Sequence, residues 1–204
     1  MSRTLTLLLV LAAGQALANH PGARLDEVMA GKEPAFEAAD LRRMPDPEMR
    51  TAEGAPLALR DQEDQIVVLS FMPEGCGASC AEQQSMLASV QEGINVTPMR
   101  GMVTFLTVHP SGEPPGGGWD AANWRAVTPD GGATVAALTA EFAALSARDG
   151  GTPMVHVIDR GARHAGTFCG AAFGRVNMVL YINGLTNARP PEPGLVERVL
   201  RVFR

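Results

Sequence analysis

The sequence predicts an α/β protein in which one sheet is covered by helices on both faces, a three-layer α/β/α sandwich. Two kinds of segment carry this prediction. Short runs of β-branched and apolar residues, such as Gln65–Phe71 (QIVVLSF), are typical of strands buried on both faces of a sheet. Amphipathic segments such as Thr134–Arg148 (TVAALTAEFAALSAR) place their apolar residues on one helical face. Their alternation along the chain indicates a sheet whose first half is mostly parallel.

The first 18 residues have the order of a secretory signal peptide. Arg3 supplies a positive start, Leu5–Ala13 is an apolar run, and Ala16-Leu17-Ala18 is a small-x-small cleavage site. The apolar run is too short to span a bilayer, which takes about 20 residues. We therefore expect residues 1–18 to be removed on export to the periplasm, leaving a mature chain without a transmembrane anchor.

The remaining elements follow in order along the mature chain. Residues 19–60 are polar and acidic and predict an N-terminal extension, and residues 61–204 predict the α/β domain. The extension is expected to hold a short helix near Ala35–Arg43 and a turn at Gly54-Ala55-Pro56. The domain is expected to add, after the first strand, a helix from about residue 80 to 91 stopped by Gly93, a strand Met102–Val108, a loop Pro110–Gly118, strands Met154–Asp159, Ala165–Cys169 and Val176–Ile182, and a final helix Leu195–Phe203.

Charge argues against one broad class of partner. The chain carries 17 Lys and Arg against 22 Asp and Glu, a formal net charge of −5. No basic cluster is present that could follow a phosphate backbone, so we expect no binding to nucleic acid.

The cysteines point to chemistry. Cys76 and Cys80 form a close pair, and Cys169 is solitary. A disulfide across three intervening residues closes a very small loop and stabilises a fold only modestly. In an exported protein the pair is therefore better explained as a reactive or metal-binding site than as a structural staple.

The pair also occupies a favourable place in the predicted fold. Cys76 follows the strand Gln65–Phe71 after a short loop, and Cys80 lies at the start of the next helix. Open α/β sheets bind ligands where a strand leads into a helix, and the positive end of the helix dipole favours thiolate over thiol. At this spacing the two sulfurs fall on one face of a helical turn, close enough for a disulfide or a shared metal ion. Thiolates select Cu(I) or zinc.

The run IVVLSFMPEGCGASCAEQQSMLASVQ resembles the signature of the Sco/SenC family, and INVTPMRGMVTFLTVHPSGEPPG is similar to the family's second strand and following loop. The resemblance covers about residues 50–160. It implies a thioredoxin-like fold and a periplasmic copper chaperone that helps assemble the copper centre of cytochrome c oxidase or a related cuproenzyme. Two cysteines and one distant histidine bind copper in that family, and the cysteines can also form a disulfide. Carried over, Cys76 and Cys80 are the copper ligands, for Cu(I) or Cu(II), and the partner is an oxidase copper-site domain.

The family's histidine has no direct counterpart in this chain, because its place falls near Gly151-Thr152. His164 is favoured narrowly over His156 as the third metal ligand, since it follows Cys80 at about the distance that the family uses. Other interpretations stay open for each histidine. His156 could be a core residue whose ring is satisfied by hydrogen bonding. His164 could be a solvated turn residue, and His109 could be a residue that only shapes the loop after its strand.

Two alternatives to copper delivery remain. A thiol–disulfide oxidoreductase without stable copper binding would use Cys76 and Cys80 as its catalytic redox pair, and the missing histidine favours it. The second alternative is a protein without metal or redox activity that only binds a partner.

Cys169 has three interpretations: a buried small apolar residue, a resolving thiol for the pair, or a replacement metal ligand.

Overall fold

The structure is a computed structural model, and it describes residues 24–39, 44–111 and 119–188. Its helices and strands are α1 Leu25–Lys32, β1 Phe36–Ala38, β2 Met49–Thr51, β3 Pro56–Leu57, β4 Ile66–Phe71, α2 Gly77–Asn95, β5 Val103–Val108, β6 Trp124–Pro129, α3 Val135–Ala143, β7 Met154–Asp159, β8 Arg163–Cys169 and α4 Arg175–Asn187. The predicted signal peptide, most of the predicted loop at 110–118 and the predicted final helix Leu195–Phe203 lie outside the described residues.

These strands form one sheet of eight, in the order β1-β8-β7-β4-β5-β6-β2-β3. The strands β4, β5 and β6 run parallel, whereas β7 and β8 are antiparallel to their neighbours. One face of the sheet packs against α1, α2 and α4, and the other packs against α3. The predicted three-layer α/β architecture is therefore confirmed, with the parallel strands in its centre.

The central strand β4 shows why the sheet forms. All six of its residues are buried, and its side chains alternate between two apolar clusters. Ile66 and Val68 pack on the side of α2 and α4, and Val67 and Leu69 pack on the side of α3. A strand covered on both faces needs a continuous apolar run, which is the pattern that predicted it.

Two predictions within the domain are wrong. The run at 176–182 is helical, because it belongs to α4, whose buried residues Met178, Tyr181 and Ile182 recur at helical spacing. Gly93 does not end α2, which continues to Asn95. A Cβ at Gly93 would lie 2.9 Å from a methyl group of Val179, so this glycine permits the close approach of α2 and α4. The strand β6 was not predicted.

The N-terminal extension is part of this architecture. Residues 36–38, which fall within the predicted helix near Ala35–Arg43, instead form β1, in which Phe36 pairs with Phe168 of β8. Glu33 accepts hydrogen bonds from the backbone N–H of Gly174 at 2.7 Å and from Nδ2 of Asn177 at 2.9 Å. Burial opposes the charge of this carboxylate, but its hydrogen bonds outweigh that effect and hold its pKa below the usual value. The extension thus caps the start of α4.

A buried chain of hydrogen bonds fastens α2 to the sheet. Trp124 Nε1 donates to the hydroxyl of Thr107 at 2.9 Å, which donates to Gln84 Oε1 at 3.1 Å. Gln84 Nε2 in turn donates to the hydroxyl of Ser70 at 3.1 Å. Trp119 packs edge-on against Trp124, with ring centroids 4.8 Å apart.

Across the described ranges, none of the helices combines the length and apolar character that crossing a membrane requires.

Candidate functional site

The cysteine pair lies at the junction between β4 and α2. Cys76 immediately precedes the helix, and its backbone N–H donates to the carbonyl of Pro73 at 3.2 Å. The glycines on either side of it, Gly75 and Gly77, have φ of +78° and +59°. This left-handed region is strained for residues with a Cβ, so the glycines allow the tight turn that delivers Cys76 to the helix start.

The two sulfurs differ in accessibility. Cys76 and Cys80 form a disulfide, with their Cα atoms 5.7 Å apart. Cys76 is half-buried, whereas Cys80 is 0% exposed and its Sγ lies 3.7 Å from the carbonyl oxygen of Phe71. A molecule approaching from solvent therefore meets the sulfur of Cys76 first.

A small cavity of about 240 Å³ lies against both cysteines, and Thr139 of α3 and Pro153, just before β7, contribute to its lining. Among the described residues, no charged side chain lines this cavity. Cys76 directly precedes the first turn of α2, a helix of 19 residues, and therefore lies at the end that carries free N–H groups and the positive end of the helix dipole.

His164 lies elsewhere. It belongs to β8 and is 1% exposed, so its interpretation as a solvated turn residue is wrong. Its Nε2 lies 3.3 Å from Nδ1 of His156 on β7, and the hydroxyl of Thr167 lies 3.1 Å from the former nitrogen and 3.4 Å from the latter. The histidines face the α3 side of the sheet, where the ring of His156 packs against Phe71 and Phe142.

His156 is itself 1% exposed, as expected for a core histidine. Burial, together with the nearby His164, lowers the pKa of His156 to about 3. This side chain is therefore neutral at physiological pH, and its hydrogen bonds are those of a neutral imidazole.

Among the side chains that the structure describes, no third metal ligand joins the two cysteines. Within residues 24–39, 44–111 and 119–188, no group of three or more His, Cys, Asp and Glu side chains could hold a metal ion. The metal set Cys76, Cys80 and His164 therefore stays a prediction. His109 is half-buried and accepts a hydrogen bond from the backbone N–H of Ser111 at 3.2 Å, which holds the turn after β5.

Cys169 is half-buried at the end of β8, where it pairs in register with Met154. It is not part of a disulfide. Burial raises the pKa of its thiol, an effect that the charge of Arg148 partly offsets and that of Glu37 reinforces. At neutral pH Cys169 is therefore mainly a thiol, which is the less nucleophilic form.

No family model and no curated protein sequence matches this chain. Solved structures match its fold. BsSco, a member of the Sco family of cytochrome c oxidase assembly proteins, is 10% identical with a TM-score of 0.58, covering 75% of this chain and 98% of that chain. The chain has the fold of the Sco proteins. Yeast Sco1 with copper bound is 9% identical with a TM-score of 0.56, covering 73% of this chain and 95% of that one.

A third similar structure is a SCO1/SenC family lipoprotein from Bacillus anthracis. It is 15% identical with a TM-score of 0.55, and the match covers 72% of this chain and 97% of the lipoprotein. At such identities the likeness establishes the fold. The Sco fold that the sequence resemblance implied is thereby confirmed.

Proposed function

We propose that this protein is an exported, Sco-type thiol–disulfide exchange protein that acts on the cysteines of a cuproenzyme copper site. The observation that carries the proposal is the Cys76–Cys80 disulfide at the start of α2, with one sulfur half-buried and the other fully buried. BsSco, which shares the fold, contains a disulfide switch, and this likeness supports the proposal further.

The exchange proceeds in two steps. The Cys76 thiolate of the reduced protein attacks one sulfur of a disulfide in the target, whose S–S bond breaks as a mixed disulfide forms and the other target sulfur leaves as a thiolate. The buried Cys80 thiol then passes its proton to this departing thiolate and attacks the sulfur of Cys76. This forms the Cys76–Cys80 disulfide, releases the second target thiolate and transfers two electrons to the target. A dithiol reductant of the same compartment restores the starting state.

The test uses the reduced mature protein and an oxidised copper-site domain that holds its two cysteines as a disulfide. Thiol labelling and mass spectrometry should show two thiols gained by the target and the Cys76–Cys80 disulfide formed. Cys80→Ser should stop the reaction at a mixed disulfide through Cys76, and Cys169→Ser is the matched control that should react normally. A wild-type protein that generates no thiols on such a target would refute the proposal.

Copper delivery is the second candidate function, with the metal as cargo. Two observations favour it: thiolates four residues apart suit Cu(I), and yeast Sco1, which shares the fold, has a structure with copper bound. In this chain Cys76 and Cys80 would supply two soft ligands, and the cargo would pass to the target by exchange of ligands. His164 would become the third ligand only if β7 and β8 repacked to expose it.

A titration of the reduced protein with Cu(I), in the presence of a competing chelator, tests this candidate. We expect one Cu(I) per chain in the wild-type protein and none in Cys76→Ser. His164→Ala and His156→Ala are compared after circular dichroism has verified their fold. Loss of copper in folded His164→Ala would assign it as a ligand, and retention would remove it from the site.

Export is proposed from the first 18 residues. If the signal peptide is cleaved as predicted, the protein recovered from a periplasmic fraction begins at Asn19. N-terminal sequencing measures this directly. A protein that retains Met1 and stays with the cytoplasmic fraction would contradict export.

A further inference from the structure

Three glutamines of α2 are buried, and one of them differs from the other two. Gln83, Gln84 and Gln91 are 0%, 5% and 1% exposed. The Oε1 of Gln84 accepts from the hydroxyl of Thr107 at 3.1 Å, and that of Gln91 accepts from the backbone N–H of Asp120 at 2.8 Å. The Oε1 of Gln83 has no hydrogen-bond partner within the described part of the chain. A buried, unpartnered amide oxygen is costly, so it calls for an explanation.

The orientation of this amide is fixed by its other end. Gln83 Nε2 donates to the carbonyl oxygens of Pro153 at 3.0 Å and Gly170 at 2.9 Å. Both neighbours are acceptors, so turning the amide over would set its oxygen against two carbonyl oxygens. Gln83 Oε1 therefore stays on the opposite side, while Nε2 ties α2 to the segment that lines the cysteine cavity.

Gln83 lies three residues after Cys80, which makes the two side chains neighbours on the helix surface. Both are fully buried. The sulfur of Cys80 carries no hydrogen in the disulfide, but it carries one in the reduced thiol, which is a weak donor. We infer that Gln83 is a positioning residue whose Oε1 accepts a hydrogen bond from the Cys80 thiol and thereby favours the reduced form of the cysteine pair. This inference rests on the proposed exchange function.

The carbonyl oxygen of Phe71 is the competing acceptor, 3.7 Å from Cys80 Sγ. The two acceptors make different predictions for variants. The bond to Phe71 is independent of the side chain at position 83, whereas the bond to Gln83 is lost in Gln83→Met, which keeps the length of the side chain without an amide. Gln91→Met is the matched control, because it makes the same change on the same helix at a glutamine whose oxygen already has a partner.

The reduction potential of the Cys76–Cys80 pair is measured by equilibration with glutathione. In Gln83→Met we expect the equilibrium to shift roughly three- to tenfold toward the disulfide, which is about 15 to 30 mV more negative. In Gln91→Met we expect no shift. Equal potentials in wild type and Gln83→Met, or an equal shift in both variants, would overturn the inference.

A second measurement needs no variant, in case Gln83→Met does not fold. The side-chain carbonyl ¹³C resonance of Gln83 should move on reduction of the wild-type protein, as expected when its oxygen gains a hydrogen bond, whereas that of Gln91 should not. An unchanged Gln83 resonance in a protein that reduces reversibly would refute this inference alone. A protein without a reversible dithiol–disulfide couple would instead refute the proposed exchange function.

Discussion

The cysteine pair and the histidine pair both consist of residue types that can bind metal ions, yet they occupy opposite kinds of environment. Cys76 and Cys80 stand at a strand–helix junction beside a cavity, with one sulfur partly open to solvent. His156 on β7 and His164 on the neighbouring strand β8 face each other, and both are 1% exposed. The first pair can exchange bonds with another molecule, whereas the second is already committed to hydrogen bonds within the protein. The two pairs therefore differ in their accessibility to solvent rather than in their ability to bind metal, and this difference makes the cysteines a candidate site and the histidines a structural element.

The largest expected effect concerns exchange activity. Cys76→Ser should lower the reduction of the target disulfide to background, because it removes the accessible nucleophile, while His156→Leu should leave this reduction unchanged. The measurement is the rate of thiol appearance on an oxidised target domain, with both variants verified as folded. Loss of target reduction in folded His156→Leu would break the distinction between the two pairs.

The next effect concerns stability. Removing either histidine leaves polar atoms of the other and of Thr167 with fewer partners, so His156→Leu and His164→Leu should each lower the free energy of unfolding by about 1–3 kcal/mol. The double variant should cost less than the sum of the two, with a coupling energy of about 0.5–3 kcal/mol. Urea unfolding measures these energies, and His109→Leu at a half-buried turn is the control. Strict additivity would mean that the histidines do not act as a pair.

The third effect is a dependence of stability on pH. The pKa of His156 is about 3 in the folded protein, below its usual value near 6.5, so between these pH values the unfolded chain binds more protons. Stability from this group is therefore present above pH 6.5 and is lost as the pH falls, by up to about 1.4 kcal/mol per pH unit. Urea midpoints of wild type and His156→Leu from pH 7 to pH 4 should diverge accordingly. Parallel pH profiles would show that His156 is not held neutral by burial.

The smallest effect tests the turn at the cysteines. Gly77→Ala should lower the free energy of unfolding by about 1–2 kcal/mol, since alanine is strained at its φ of +59° although no atom lies within 4 Å of the added Cβ. Gly101→Ala, where the space is equally open and φ is ordinary, should change little. Thermal unfolding compares the two. An equal cost at both positions would show that backbone strain at Gly77 does not matter.

Local patterns in the sequence predicted the centre of the fold well. The strands β4, β5 and β7 are six-residue runs rich in β-branched and apolar residues, and all of their residues are buried, as expected for strands covered on both faces. The segment at 176–182 was misassigned because a short run of β-branched and apolar residues has the same composition in a buried strand and in a helix. The edge strands β1 and β3 have only three and two residues, which is too short for any periodicity.

The candidate site was predictable only in part. Cys76 and Cys80 are close in sequence, so spacing alone places their sulfurs together. The contact between His156 and His164 depends on the register of the β7–β8 hairpin, where a bulge shifts the pairing after Val157. A bulge moves one strand by a residue relative to the other, and nothing in the local sequence specifies it. The role of Gln83 likewise depends on carbonyl groups 70 and 87 positions away.

The hydrogen-bonded chain from Trp124 to Gln84 gives the protein an optical readout of its own. Both tryptophans of the chain pack together, and the indole of Trp124 is linked through Thr107 to the helix turn that directly follows Cys80. Indole emission responds to hydrogen bonding at its N–H and to the polarity around the ring. Any event that shifts the start of α2, such as closing or opening the disulfide or docking a target, should therefore register as a change in intrinsic fluorescence, without an attached dye.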